Sequence, residues 1–258
     1  MRITVLASGS KGNAALVETD STRVLIDAGL TMKGIEQRLE SIGVAASSLN
    51  AVVLTHEHTD HVRGIGPLAR RYRIPVYATE GTFSSAFGLT GDIPLAHVVH
   101  NDGSLGIGDI GVDLFSISHD AADPVGFRFT ADGHSLCYVT DTGIYTSLIR
   151  EYARDCHGIV IESNHDEEML MEGKYPWALK QRVRSRFGHV SNREASLFLQ
   201  EVWQPALRFV VLAHLSAENN SPAAAYTQNA QVLQHLGGHN TRLYATRQDA
   251  VGSTLWVS

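Results

Sequence analysis

The sequence predicts a mixed α/β fold: one domain over residues 1–258, with two sheets and helices outside them. Three observations carry this expectation. Short apolar, β-branched runs recur along the whole chain, punctuated by Gly, Asp, Asn and Ser. Helical periodicities fall between groups of these runs rather than at one end. Hydrophobic residues make up 43% of the 258 positions, enough to fill a core between layers.

The strand-like runs, in order, are Ile3 to Leu6, Ala15 to Glu18, Arg23 to Ile26, Ala51 to Leu54, Pro75 to Tyr77, Val112 to Ile117, Gly126 to Phe129, Ser135 to Val139, Gly158 to Ile161, Phe209 to Leu212 and Leu243 to Ala245. The first three follow in quick succession, as in a meander. A helix is expected from Thr31 to Ile42, with Leu30, Ile35, Leu39 and Ile42 on one face. A second covers Val62 to Tyr72. A third begins at Ser191, where Ser191-Asn192-Arg193-Glu194 has the form of a capping box, and it must stop by Pro205. A fourth starts with Ser221 as N-cap and Pro222 in its first turn, and ends at Gly237-Gly238. No repeat, low-complexity tract or linker interrupts the series.

Composition narrows the function classes. No stretch reaches the roughly 20 apolar residues of a membrane span. The apolar start, Ile3 to Ala7, is too short and too β-like for a signal peptide. Two cysteines, Cys137 and Cys156, make no disulfide framework and no zinc-finger spacing, so both read as core residues of a cytoplasmic protein. The net charge of −6 argues against nucleic acid, but its distribution argues the other way. Lys174, Lys180, Arg182, Arg184, Arg186 and Arg193 lie in one window that holds no Asp or Glu. A block of that kind is a solvated helix face or a seat for an acidic partner.

The decisive stretch is Val52-Val53-Leu54-Thr55-His56-Glu57-His58-Thr59-Asp60-His61. An apolar strand runs into His-x-His-x-Asp-His. In an extended segment His56 and His58 project to the same side. Asp60 and His61 then open the next helix, where a carboxylate and an imidazole can turn toward a second ion. The zinc-protease pattern His-Glu-x-x-His does not apply, because position 60 is Asp.

This stretch resembles the signature of the metallo-β-lactamase fold superfamily. The resemblance implies a four-layer αββα sandwich with two divalent metal ions at the sheet edges. It implies further ligands, and His119, Asp141 and His214 stand in the expected order, in Ser118-His119-Asp120, Tyr138-Val139-Thr140-Asp141 and Leu212-Ala213-His214. One ion would then take His56, His58 and His119, the other Asp60, His61 and His214, with Asp141 between them. Such nitrogen and oxygen donors suit Zn²⁺ or Mn²⁺. Two neighbouring ions sharing a water lower its pKa and supply hydroxide at neutral pH.

The metals alone do not select a substrate. Gly188-His189-Val190-Ser191-Asn192 resembles the histidine motif of the superfamily's nuclease branch, and Ile161-Glu162-Ser163-Asn164-His165 partly resembles its His-Glu-Ala-Thr segment, with Ile161 in place of the first His. Over the whole chain, Ala7 to Asn13, Glu162 to Asp166 and Leu215 to Asn220 resemble the YycJ/WalJ-type bacterial nucleases. That resemblance implies exonuclease action on DNA. Asp60, His189 and Glu162 are then the catalytic candidates, with Glu162 orienting His189. Lys180, Arg182, Arg184, Arg186, Ser191 and Asn192 are the substrate-binding candidates. Ser8 to Asn13 reads as a turn facing the site, and His165 as either a surface histidine after a strand or a residue of the site. Two other readings stand beside the nuclease. One is a hydrolase of small esters, thioesters or cyclic phosphodiesters on the same fold. The other is a nucleic-acid-binding module without catalysis, which the full ligand set disfavours.

Overall fold

Alternation along the strands sets the layers. In Arg23–Ile26, Val24 and Ile26 face one way and Leu25 the other, and all three are buried. In His134–Val139, Leu136 and Tyr138 face the same core as Val24 and Ile26, while Cys137 and Val139 face a third cluster. A strand buried on both faces needs a partner layer on each side. The computed structural model describes residues 1–257 and shows both partners.

The strands are β1 (Arg2–Ala7), β2 (Ala14–Glu18), β3 (Arg23–Ile26), β4 (Ala51–Val53), β5 (Val76–Ala78), β6 (Ala96–Val98), β7 (Ser104–Ile107), β8 (Ile110–Ser116), β9 (Val125–Ala131), β10 (His134–Val139), β11 (Gly158–Glu162), β12 (Phe209–Ala213), β13 (Arg242–Ala245) and β14 (Leu255–Trp256). They form two seven-stranded sheets, ordered β14-β1-β2-β3-β4-β5-β6 and β13-β12-β11-β10-β9-β8-β7. Between them lies a core in which Ile3, Val5, Val24, Ile26 and Val53 meet Leu114, Phe127, Phe129, Tyr138 and Val211. Each fully buried large side chain of this kind contributes about 1.5–3 kcal/mol.

Helices cover the outer faces. α1 (Met32–Ser41), α2 (Thr59–Val62), α3 (Ile65–Tyr72) and α4 (Glu80–Thr90) belong to the first half of the chain. Ile35, Leu39, Val62, Ile65 and Leu68 pack there on Leu16, Leu25 and Val52. The second half supplies α5 (Ser147–Ala153), α6 (Glu167–Glu172), α7 (Trp177–Val183), α8 (Asn192–Val202) and α9 (Pro222–His235). Ile149, Phe198, Leu199 and Ala225 pack on Cys137, Ile159, Ile161 and Val210. The layers run helix, sheet, sheet, helix, the αββα sandwich.

Several boundaries differ from expectation. The helix expected from Val62 to Tyr72 is two helices, because Gly64 turns its N–H to the Ala28 carbonyl at 2.7 Å and so leaves the helical path. Strands β6, β7 and β14 and helices α4 to α7 were not anticipated. The capping box at Ser191 forms, with Glu194 accepting from the Ser191 N–H, and Ser221 caps α9 with Pro222 in its first turn. Both cysteines are buried. Among the described residues, no helix is long and apolar enough to cross a membrane.

Candidate metal centre

Strand direction brings the site together. β3 and β4 are parallel; β10, β11 and β12 are parallel, and β8 runs with them because two antiparallel steps separate it from β10. Beyond the C-terminal ends of these strands come Asp27, the 54–61 loop, His119, Asp141 and His214, with Glu162 the last residue of β11. Crevices outside the carboxyl ends of strands are where α/β sheets bind ligands. Asp27, Asp141 and His214 have φ of +57°, +57° and +54°. Each left-handed residue costs on the order of 1 kcal/mol and ends the extended path abruptly, so three site groups stand on sharp corners.

The 56–61 loop is fastened from below. The Asn13 N–H donates to the Asp60 carbonyl at 2.8 Å, and the Ala28 N–H to the His61 carbonyl at 2.7 Å. Gly29 passes so close that a Cβ there would lie 1.6 Å from the Asp60 oxygen. The Asn13 side chain reaches Asp60 Oδ2 at 3.3 Å and His61 Nε2 at 3.0 Å.

Hydrogen bonds around the imidazoles set which nitrogen faces inward. His61 Nδ1 donates to Asp27 Oδ2 at 2.8 Å. The single Thr55 hydroxyl proton goes to Asp27, at 2.9 Å from Oδ2, so Thr55 Oγ1 accepts from His56 Nδ1 at 3.0 Å. His119 Nδ1 donates to the Gly188 carbonyl at 3.3 Å, and His214 Nδ1 to Glu162 Oε1 at 2.9 Å. Four Nδ1 protons are thereby committed outward, which leaves a lone pair on each Nε2. Those of His56, His119 and His214 are buried with no hydrogen-bond partner, as is Asp141 Oδ2. Buried orphan acceptors pointing at one another are costly unless a cation accepts their lone pairs.

They do converge. Donor atoms of His56, His58 and His119 lie within 4.8 Å of one another; so do those of His56, His61 and Asp141, and those of Asp60, His61 and His214. Asp141 Oδ2 is 3.4 Å from His61 Nε2, and Asp141 Oδ1 is 4.0 Å from His119 Nε2. Burial drives His56 well below the usual imidazole range and lowers His119, keeping both in the neutral, lone-pair form. Burial also opposes charge on His61, but Asp141 and Asp27 overcome it and raise this group to about 9. His214 is likewise raised against burial, chiefly by Asp141. The converging donor atoms, several of them buried without a partner, fit a metal ion.

A family model for the beta-lactamase superfamily domain matches residues 22–214. This chain belongs to the metallo-β-lactamase superfamily. Among curated members it is similar to Exodeoxyribonuclease YycJ of Bacillus anthracis, 39% identical over 239 residues that span 92% of this chain and 90% of that one. It is also similar to Exodeoxyribonuclease WalJ of Streptococcus pneumoniae, 36% identical over 255 residues, 96% of this chain and 95% of the other. Among solved structures, the metallo-beta-lactamase fold protein YhfI of Bacillus subtilis superposes with a TM-score of 0.75 at 19% identity, covering 97% of both chains. Human tRNase Z, short form, gives 0.67 at 16%, covering 98% of this chain and 99% of that one. These two likenesses concern the superfamily fold alone.

Around this superfamily centre the remaining candidates divide. His189 Nδ1 is 2.7 Å from Glu162 Oε1, and its ring stands 5.2 Å from those of both His119 and His214. Burial lowers its affinity for a proton, but Glu162 more than compensates and raises the pKa. Arg182, Arg184 and Arg186 are exposed, Arg182 pairing with Asp120 Oδ2 at 2.7 Å. Lys180 is buried, with its ammonium on the Met171 carbonyl, so it does not reach outward with the arginines. Ser191 caps α8, and buried Asn192 bonds to Ser163 and Asn220. These three hold the fold together around His189. His165 is no surface residue: it is 2% exposed, with Nδ1 unpartnered.

Asp27 and Thr55 escaped the sequence reading as site residues. A signal existed: Leu25-Ile26-Asp27-Ala28-Gly29 repeats the pattern of an apolar strand, Asp and nearby Gly found at Asp141. The turn at Ser8 to Asn13 does face the site, through Asn13 and through Ser8 Oγ, which accepts from the His214 N–H at 2.7 Å.

Proposed function

We propose that this chain is a metal-dependent hydrolase that removes nucleotides from DNA ends, holding two divalent cations, Zn²⁺ or Mn²⁺. His56, His58 and His119 would hold one and Asp60, His61 and His214 the other, with Asp141 facing both. The observation that carries this reading is the inward set of Nε2 lone pairs closing on Asp141. The choice of DNA is supported by similarity, over nine-tenths of the chain, to two exodeoxyribonucleases. Bound there, the cations supply Lewis acidity toward water and toward the phosphate oxygens.

The chain's own groups do the rest. Glu162 holds His189 by its Nδ1 proton, and the ring keeps 22% of its side chain open to solvent beside a fully buried carboxylate. His189 is thus the imidazole that meets the scissile phosphate and passes a proton to the departing oxygen. Arg184 and Arg186 bind neighbouring phosphates. Incubation of 5′-phosphorylated DNA with the protein and Mn²⁺ tests the reading. Stepwise release of nucleotides is expected, reduced by two or more orders of magnitude in His189→Ala. An intact substrate under Mn²⁺, Zn²⁺ and Mg²⁺ alike contradicts it.

A further inference from the structure

The exposed arginines of the 182–186 segment border His119 and His189. Across the centre, beside Asp60 and His61, stand three further cations. Lys11, Lys33 and Arg63 are all exposed. Among the described residues, none of the three side chains has a carboxylate partner. Lys11 is engaged through its backbone, whose N–H donates to Gln248 Oε1 at 2.9 Å, and Arg63 through its N–H to the Thr59 carbonyl at 3.1 Å. Glu36, one turn along α1 from Lys33, is paired with Arg71 at 3.5 Å instead.

Close packing brings the three together. Gly12 follows Lys11, and a Cβ on it would lie 2.8 Å from Leu30 Cδ2 and 2.9 Å from the Gly29 carbonyl oxygen. Gly64 follows Arg63, and a Cβ there would lie 2.3 Å from the Leu30 carbonyl oxygen and 3.1 Å from the Met32 nitrogen, next to Lys33. Segments 11–13, 29–33 and 60–64 therefore converge on Leu30. They also border the centre. The Asn13 N–H donates to the Asp60 carbonyl, and Ser8, at the other end of the Lys11 turn, accepts from the His214 N–H. Gln248 holds that turn, since its Nε2 donates to the Gly12 carbonyl at 2.9 Å while its Oε1 accepts from Lys11. Like charges gathered without counter-ions repel one another, and a polyanion relieves that repulsion.

His56 lies between the two basic rims. Its ring is 4.0 Å from that of His61 and 5.0 Å from that of His119. A single strand brings one line of phosphates over such a centre. A duplex end brings two, across a groove of roughly 6 to 12 Å. We propose that Lys11, Lys33 and Arg63 form a second phosphate-binding rim that holds the strand opposite the one being cut, while Arg184 and Arg186 hold the cut strand. The inference rests on the nuclease reading and adds to it the residues that grip the second strand.

Fluorescence anisotropy from low to moderate salt tests it, with metal-loaded protein and labelled DNA whose phosphorothioate linkages resist cleavage. The two probes are a 5′-phosphorylated duplex and oligothymidylate. Each duplex phosphate contact contributes about 0.9 to the slope of log K against log salt. Lys11→Gln with Lys33→Gln and Arg63→Gln should lower the duplex slope by about 2.7 and leave the oligothymidylate slope near wild type. Lys11→Arg with Lys33→Arg and Arg63→Lys keeps the charges and should keep the duplex slope. Arg208→Gln with Arg242→Gln, exposed at the starts of β12 and β13 and so at the end of the sheet away from His214, controls for net charge and should change neither slope. An unchanged duplex slope in the triple glutamine variant, or a fall of equal size on both probes, overturns the proposal while leaving the nuclease reading intact. So does an equal fall in the charge-keeping variant or in the Arg208 and Arg242 control. A wild-type protein that cleaves a small phosphodiester and neither binds nor cuts DNA overturns both readings.

Discussion

Glu162 and His189 are joined by a hydrogen bond of 2.7 Å from Nδ1 to Oε1, and the same carboxylate oxygen accepts from His214 Nδ1 at 2.9 Å. One buried acid thereby fixes both an imidazole at the mouth of the site and an imidazole within it. Its other oxygen accepts from the Thr142 N–H at 2.9 Å, next to Asp141. Both of its oxygens are thus engaged in positioning.

Glu162→Gln tests this arrangement. An amide offers one acceptor oxygen, so its NH₂ must meet either the imidazole protons or the Thr142 N–H. Loss of such a supporting group costs about 10–100-fold in metal affinity or activity. Isothermal titration with Zn²⁺ and measurement of kcat should both show a loss in that range. Wild-type values in both would mean that Glu162 positions neither ring.

Gly29→Ala tests the fastening of the metal loop. The added Cβ meets the Asp60 carbonyl oxygen at 1.6 Å, so the loop must move. A misplacement of about 1 Å costs on the order of 100-fold in rate. Gly106→Ala, where the added carbon meets nothing within 4 Å, is the control. Activity should fall about 100-fold in the first and stay near wild type in the second. Equal activities would show that the loop does not depend on that crossing.

His165 gives a pH dependence of stability. Burial lowers its pKa to about 4, with Glu162 pulling the other way. The unfolded chain, near 6.5, therefore binds a proton that the folded chain refuses between these values. Stability from this group is lost as pH falls from about 6.5 to about 4 and is constant below. The loss reaches about 3 kcal/mol. Urea midpoints across that window should slope less steeply in His165→Gln than in the wild type. Parallel curves would show that His165 is protonated in the folded protein.

The sequence made the strand-rich sandwich legible because most strands are buried on at least one face, and β11 and β12 on both. It did not reveal β6, whose Ala96, His97 and Val98 are all exposed on a sheet edge and carry no alternation. Nor did it reveal α7, where Lys180 is the one buried residue, so no apolar stripe marks the helix. The candidate ligands at 56–61 were legible because six consecutive positions fix their own geometry. Asp27 was not, because a lone strand-end acid reads as a turn residue until the fold sets it against His61. The basic block was legible as charge, but only packing shows that Lys180 turns inward to Met171 while Arg184 and Arg186 stay in solvent.

That division yields a salt prediction. Each phosphate contact on a single strand contributes about 0.7 to the slope of log K against log salt. Arg184→Ala with Arg186→Ala should reduce the slope by about 1.4. Arg182→Ala should reduce it less, since its guanidinium is already held by Asp120. Fluorescence anisotropy of labelled oligothymidylate from low to moderate salt reads both. An unchanged slope in the double variant would place the DNA backbone elsewhere.

In the proposed function, side chains from both sheets close on the cations of a nuclease. Stripping the protein with chelator and titrating Mn²⁺ or Zn²⁺ back, while following nucleotide release from 5′-phosphorylated DNA, checks this dependence. Activity should be absent in the stripped protein and should rise to saturation at two equivalents of metal per chain. Full activity without metal, or none at any metal level, would contradict the account.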